Sequence, residues 1–447
     1  MKLKNSSKNT LLSNPQALED GIEIEKYIIA TYTAALRPKM MATTMAQFAA
    51  IEQSTGTWVR VPAETDEVRR MSVAKVLGVY EVPNFEYEVE VAKDGLRFYL
   101  FRIAFPIRNL INSKGKFNFP LMFTAIYGNI SMGGKLKLVD FQMPKSILKQ
   151  FKGPKFGIEG FKKLLGIEGR PVLNNMIKPC TGHSCEVAGD LAYDAFVGGC
   201  DVVKDDELIA DAKFNTLEDR LASVMEAADR AASETGEKKM YTIGICDGYP
   251  EILEHANKVQ DMGGNGLLIN YLPSGLSMLR AIAEDKSIKL PILSHMDFAG
   301  TWYQDPWSGV ASNLTLGKIP RICGSDSIVL PAPYGKAIVV DERFFMNIKE
   351  LIYPLKNIKP TLPMPSGGIQ AGMIEKVVRD VGIDCMIGAG GGVHAHVDGP
   401  VAGAKSLRQA IDAAIQGIPV KEYAKDHEEL AKAIGTWGTG RTKFQSI

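Results

Sequence analysis

The chain of 447 residues sets 52 Lys and Arg against 51 Asp and Glu, and 45% of it is hydrophobic. That balance leaves no electrostatic footprint for general nucleic-acid binding, and no apolar run approaches the roughly 18–20 residues that a bilayer span requires. Six thinly spread cysteines and a polar start (MKLKNSSKNT) without an apolar stretch behind it argue against a disulfide scaffold and a signal peptide, so a reducing, cytoplasmic setting is expected.

Residues 1–25 are rich in Asn, Ser and Lys and read as a loosely held polar tail. From 26 to about 150, strand-like runs (Tyr27 to Ala34, Phe85 to Val91, Arg97 to Ala104) mix with a helical stretch, Met41 to Gln53, which suggests a small α+β domain. Phe151-Lys-Gly-Pro-Lys-Phe-Gly157 carries the breakers and charges of a domain junction. Eight short apolar runs follow: Val172 to Pro179, Cys200 to Glu207, Met240 to Cys246, Gly266 to Tyr271, Leu290 to His295, Ser327 to Leu330, Thr361 to Met364 and Asp384 to Ile387. Helical patterns such as Leu217 to Thr235 and Gly368 to Val381 lie between them. Eight strands alternating with helices over residues 151–447 predict a (β/α)8 barrel, with a doubly wound open sheet as the structural rival.

In such a barrel, chemistry sits at the C-terminal strand ends. The polar residues there are Lys178, Lys204-Asp-Asp-Glu207, His295, Lys336, Ser366-Gly-Gly368 and Gly390-Gly-Gly392. The sharpest of these motifs is Gly198-Gly-Cys-Asp-Val-Val-Lys-Asp-Asp-Glu207, an apolar strand that closes on a lysine and three carboxylates. Hard cations such as Mg²⁺ take oxygen ligands of this kind. A lysine beside them makes sense once CO2 has converted it to an anionic carbamate, a further oxygen ligand. A solvated charge run is the bland alternative, and a buried strand leading into the motif weakens it.

Together with Glu52-Gln-Ser-Thr-Gly-Thr-Trp58, Tyr127-Gly-Asn129, Gly153-Pro-Lys-Phe-Gly157, Met176-Ile-Lys-Pro179 and the glycines after the seventh and eighth runs, this motif resembles the large chain of ribulose-bisphosphate carboxylase/oxygenase (RuBisCO) and its RuBisCO-like relatives. The resemblance covers nearly the whole chain. It implies a barrel preceded by a ferredoxin-like α+β domain, with Lys204 as the carbamylated ligand of Mg²⁺ and Asp206 and Glu207 completing the protein's share. Lys178 would manage protons at the reacting carbons, His295 would lie beside substrate hydroxyl and keto groups, and Lys336 would steady a carboxylate. Glu52 and Asn129 would reach a neighbouring subunit's barrel in a homodimer or an assembly of dimers. Ser366, Gly367, Gly368, Gly390 and Gly391 would contact substrate and phosphate, with Thr57 and Trp58 closing the phosphate site from the partner chain.

Departures from the carboxylating pattern narrow the function. Cys180, Met296, Ala299 and Val329 stand where a carboxylase has Lys, Arg, His and His. Met and Val offer a dianion neither charge nor hydrogen bonds, so a bisphosphate would be left partly unpaired. A singly phosphorylated keto-sugar substrate is expected instead. Ser327 to Gly335 and Gly388 to His396 resemble the branch that enolises 2,3-diketo-5-methylthiopentyl 1-phosphate in methionine salvage, but that branch has a lysine at the position of Asn129 and none at Lys336. The retained groups suit decarboxylation of a 3-oxo sugar-acid phosphate, with the methionine-salvage enolase as the alternative and a non-catalytic regulatory role as a further one.

Other residues read blandly. His183, His255 and His427 suit surface or helix positions, His394 and His396 either line the site or sit in a solvated loop, and Cys180 tunes polarity beside Lys178. Cys185 and Cys200 are expected to be buried. Trp302 and Trp307 either wall the pocket or serve packing or a subunit contact.

Overall fold

The computed structural model describes residues 14–57, 59–86, 95–337 and 339–441. The chain divides into two compact units, one of residues up to 151 with Gly300–Thr315, the other of residues 152–299 and 316–447.

In the first unit, β1 (Tyr27–Leu36), β2 (Lys75–Glu81), β3 (Arg97–Pro106) and β4 (Leu136–Gln142) form an antiparallel sheet. β1 alternates buried and half-buried residues only from Ala30 to Ala34, and successive residues are buried at both of its ends, as suits a strand with a neighbour on either side. The helix Ala42–Glu52 falls within the expected helical stretch, and its buried residues are all alanines. β2 and β4 join the two strands legible in the sequence. Of the expected strand Phe85 to Val91, the described residues Phe85 and Glu86 are irregular, and the remainder lies outside the described residues. The tail expectation fails from residue 14 onward. Gln16 bridges Val76, the Lys75 ammonium donates to the Asn14 carbonyl (2.8 Å), and Glu19 pairs with Arg102. A charge-rich segment is held here because its partners are on the sheet.

The segment Gly300–Thr315, from within the expected barrel range, belongs to this unit: a short strand, Gly309–Val310, pairs in parallel with β4 and is the fifth member of its sheet. Trp307 stacks on Phe98 at 5.6 Å and lies 4.6 Å beneath the Lys135 ammonium, so its role is packing.

The second unit is the barrel. Each of the eight apolar runs overlaps a strand, the last three strands extending one or two residues beyond the expected ends: β5 (Val172–Met176), β6 (Val202–Lys204), β7 (Met240–Gly244), β8 (Leu267–Asn270), β9 (Ile292–His295), then, after Gly309–Val310 (β10), β11 (Ser327–Pro331), β12 (Leu362–Ser366) and β13 (Met386–Ala389). They pair in parallel in the order β12-β11-β9-β8-β7-β6-β5-β13, and the two end strands lie against each other. The interior is filled with Val172, Val202, Met240, Leu268, Leu293, Val329, Leu362, Met364 and Met386. This apolar plug sends every polar strand end to one rim. The helix Leu217–Thr235 has the expected bounds, while the stretch from Gly368 becomes regular helix only at Ile374–Val381.

Candidate active site

Strand β6 builds the centre of the rim. Val202, Val203 and Lys204 are fully buried, and the chain then leaves the sheet. The Lys204 ammonium, itself 0% exposed, donates to the Asp205 carbonyl (2.6 Å) and pairs with Glu207 (3.2 Å). Asp205 faces other partners. Arg220 donates to it from Nε (3.1 Å), the Gly244 amide donates at 2.9 Å, and the Tyr241 hydroxyl donates as well. Asp206 accepts from Lys178.

Lys178, two residues beyond β5, donates also to Cys180 Sγ at 3.0 Å. Burial opposes its charge, yet hydrogen bonding and charge attraction from Asp206 and Cys180 outweigh burial and raise the ammonium above its ordinary pKa. Gly390, at the end of the eighth barrel strand, lies against the lysine's stem: a Cβ there would sit 3.1 Å from Lys178 Cε. Burial likewise opposes the Glu207 charge, but Lys204 and His295 hold that carboxyl down at about 2. His295, the last residue of β9, places Nε2 3.2 Å from Glu207 and Nδ1 2.8 Å from Asp297. Lys178, Lys204, Asp206, Glu207 and His295 therefore meet in one cluster.

The glycine positions form its flank. Gly367 and Gly368 leave β12 at φ of +96° and +85°, a backbone that side chains disfavour. The Lys336 amide donates to the Gly367 carbonyl (2.8 Å), and a Cβ on Gly335 would lie 1.9 Å from that oxygen, so this loop approaches β12 as closely as a backbone can. The Lys336 side chain is exposed. Ser366 closes β12, and Gly391 opens a short turn of helix, Gly391–His394.

In the first unit, Glu52 and Asn129 lie together, the Asn129 amide 3.4 Å from the Glu52 carboxylate, and both line a cleft of about 270 Å³. Thr57 is exposed in a neighbouring loop, and Trp58 lies outside the described residues.

Two features escaped the sequence reading, and His394, which it left open between the site and a solvated loop, is a third that the structure places. Asp297, two residues after His295, holds that imidazole; only its spacing marked it. Arg220 and Tyr241, on separate elements, anchor Asp205 and so fix the motif from behind. His394 points its Nε2 at Asn175 Oδ1 (3.1 Å), and burial, with Lys178 nearby, lowers its pKa to about 4. The departures are apolar here as well: Val329 belongs to the barrel plug, Met296 packs against it, and Ala299 is buried.

The donor set suits a hard divalent ion on one condition. Glu207, His295 and Asp297 each offer an atom within 4.8 Å of the others, and Asp206 is adjacent. The Lys204 ammonium repels a cation in that place, so the set fits Mg²⁺ once the amine carries a carbamate.

Residues 20–147 match the N-terminal domain, and residues 157–437 the catalytic domain, of the ribulose bisphosphate carboxylase large chain. The chain belongs to the RuBisCO large-chain family. It is 50% identical over 425 residues to a ribulose bisphosphate carboxylase-like protein of Archaeoglobus fulgidus, covering 94% of this chain and 96% of that one. It is also 31% identical over 411 residues to the 2,3-diketo-5-methylthiopentyl-1-phosphate enolase of Geobacillus thermodenitrificans, covering 92% and 98%. Among solved structures, a rubisco-like protein from Alicyclobacillus acidocaldarius superposes with a TM-score of 0.84 at 31% identity over 93% of this RuBisCO-family chain and all of that one. A dimeric archaeal Rubisco from Hyperthermus butylicus gives 0.83 at 31%, covering 96% and 100%. Among the described residues no helix is long and apolar enough to cross a membrane.

Proposed function

We propose that this chain is a RuBisCO-like enzyme that forms and reprotonates an enediolate of a singly phosphorylated keto-sugar compound, and that its reaction is decarboxylation of a 3-oxo sugar-acid phosphate. The observation that carries the reading is the Lys178–Asp206 contact inside the Lys204–Glu207–His295 cluster, a proton-bearing lysine at the edge of a carboxylate set.

The site's residues divide the work as follows. Lys204, as the neutral amine, attacks CO2 through Nζ; an N–C bond forms, one proton leaves, and the carbamate joins Asp206 and Glu207 as oxygen donors. Mg²⁺ held by these three would supply a sink for the charge that develops on the substrate's keto oxygen. His295 donates to that oxygen or a neighbouring hydroxyl. Lys336 pairs with the departing carboxylate and orients its C–C bond. When the bond breaks, its electron pair moves toward the keto group, CO2 leaves, and Lys178 delivers a proton to the carbon. The phosphate lies along Ser366, Gly367, Gly368, Gly390 and Gly391, where glycine lets backbone amides approach an anion. Thr57 and Trp58 would close over it, and Glu52 and Asn129 would complete the site of a second copy in a homodimer.

Two features favour decarboxylation over tautomerisation: Lys336 offers a carboxylate a cation, and Asn129 stands where the enolase branch has a lysine base. The diketone-phosphate enolase is the second reading, favoured by relatives 31% identical over 92% of the chain. Incubation of the Mg²⁺/bicarbonate-activated protein with 3-oxo sugar-acid phosphates and diketone phosphates in deuterated water tests the proposal. CO2 release with deuterium uptake at the former carboxyl-bearing carbon is expected; deuterium exchange of the diketone without CO2 from any acid would replace it with the enolase.

A further inference from the structure

We propose that His394 is a positioning residue for the substrate's phosphate: clasped by Asn175 of β5, it sets the Gly391–His394 turn, whose backbone the phosphate meets. The inference rests on the proposed phosphate reading of that turn and adds the side chain that fixes it.

The turn is packed without slack on two sides. A Cβ on Gly392 would lie 2.6 Å from the Ile369 carbonyl oxygen, in the loop that leaves β12. A Cβ on Gly403, in the helix Pro400–Gln416, would lie 2.1 Å from the Val393 carbonyl oxygen. Toward β5 the tether is a side chain. Asn175, 0% exposed, donates its amide nitrogen to the Ala389 carbonyl (3.2 Å) and turns Oδ1 to His394 Nε2 (3.1 Å). Ala389 ends β13 just ahead of Gly390, and His394 closes the turn by donating its own amide to the Gly390 carbonyl (3.1 Å). One asparagine therefore holds both ends of the glycine turn.

The clasp also places the ring's proton. With the Asn175 nitrogen committed to a carbonyl, Oδ1 can only accept, so Nε2 carries the hydrogen. Nδ1 is buried with no hydrogen-bond partner among the described residues. Moving the proton there would bury an orphaned donor and set the Nε2 lone pair against Oδ1. Burial and the Lys178 charge, against the pull of the Met176 carbonyl, lower the ring's pKa to about 4, so it is neutral at neutral pH. His394 therefore adds no charge to phosphate binding. What it contributes is placement of backbone amides that the glycines leave uncovered.

The test uses the full-length protein, ¹⁵N-labelled at histidine, with 3-phosphoglycerate as the probe of a singly phosphorylated acid. In ¹H–¹⁵N NMR of wild type at neutral pH, the ring signal that disappears in His394→Gln should be neutral and protonated at Nε2. An imidazolium or an Nδ1–H ring overturns the inference, whatever the variants bind. In calorimetry, His394→Leu should weaken 3-phosphoglycerate binding about tenfold, and His394→Gln, whose amide nitrogen can donate to Asn175 Oδ1, should stay within about threefold of wild type. Unchanged affinity in His394→Leu, or an equal loss in both variants, overturns the inference and leaves the phosphate reading standing. A wild type that does not bind 3-phosphoglycerate overturns both.

Discussion

Asp205 and Asp206, adjacent in the chain, give their carboxylates to different partners: Asp205 to buried Arg220 (3.1 Å) and Tyr241, Asp206 to Lys178 at the rim. The pair of substitutions should therefore separate stability from activity. Asp205→Ala strands the Arg220 guanidinium in the interior and should cost about 3–5 kcal/mol in denaturant unfolding. Asp206→Ala should leave the melting curve nearly in place and abolish metal-dependent turnover. Equal destabilisation by both would contradict the assignment.

Carbamate formation should depend on the metal. Lys204 is fully buried 3.2 Å from Glu207, so exchanging its positive charge for a negative one without a cation would set three anions against each other. With ¹³C-bicarbonate, a protein-bound carbamate signal should appear on adding Mg²⁺, and it should be missing without metal and in Lys204→Ala. A full signal in chelator would refute the linkage.

Acid should loosen the unactivated protein in a defined window. The Glu207 carboxyl is lowered from 4.5 to about 2. A depressed folded-state value contributes stability that is complete above the unfolded value and disappears as pH falls through the folded one. The loss should run from about pH 4.5 down to 2 and amount to at most about 3 kcal/mol. Glu207→Gln should flatten that limb in urea titrations at successive pH values; an unchanged limb would show that the pairing adds nothing.

Shared sites make a further prediction. If Glu52 and Asn129 serve a neighbour's barrel, mixing inactive Glu52→Gln with inactive Lys204→Ala should restore one sound site per hybrid dimer, roughly a quarter of wild-type activity at random reassociation. Hybrid dimers that form and stay inactive would place all catalytic groups in one chain.

What could be read in advance followed the physics of each signal. The barrel strands are short apolar runs closed by polar residues, and the Lys204-Asp-Asp-Glu207 cluster is contiguous, so both were legible. β2 and β4 were not: Lys75–Glu81 and Leu136–Gln142 carry mixed residues that become strands through pairing with distant segments. Asp297 carried no signal of its own, because its contact with His295 is set by the turn around Phe298. Arg220 carried no signal, because its buried partner Asp205 is on another element. In the sequence Trp307 stays open between a pocket wall and packing, and its stacking on Phe98 favours packing.

The central claim is that Lys336 serves a carboxylate. Neutralising it removes a charge-assisted hydrogen bond, about 1.5–3 kcal/mol, or roughly ten- to a hundred-fold in rate. The most direct measurement follows Lys336→Met and wild type side by side, with CO2 evolved from a 3-oxo sugar-acid phosphate and enol absorbance from 2,3-diketo-5-methylthiopentyl 1-phosphate. Wild type should release CO2, and Lys336→Met should lose that reaction while keeping any slow enolisation of the diketone. Rapid diketone conversion by wild type, with no CO2 from any keto acid and no effect of Lys336→Met, would contradict the account and leave the enolase reading in its place.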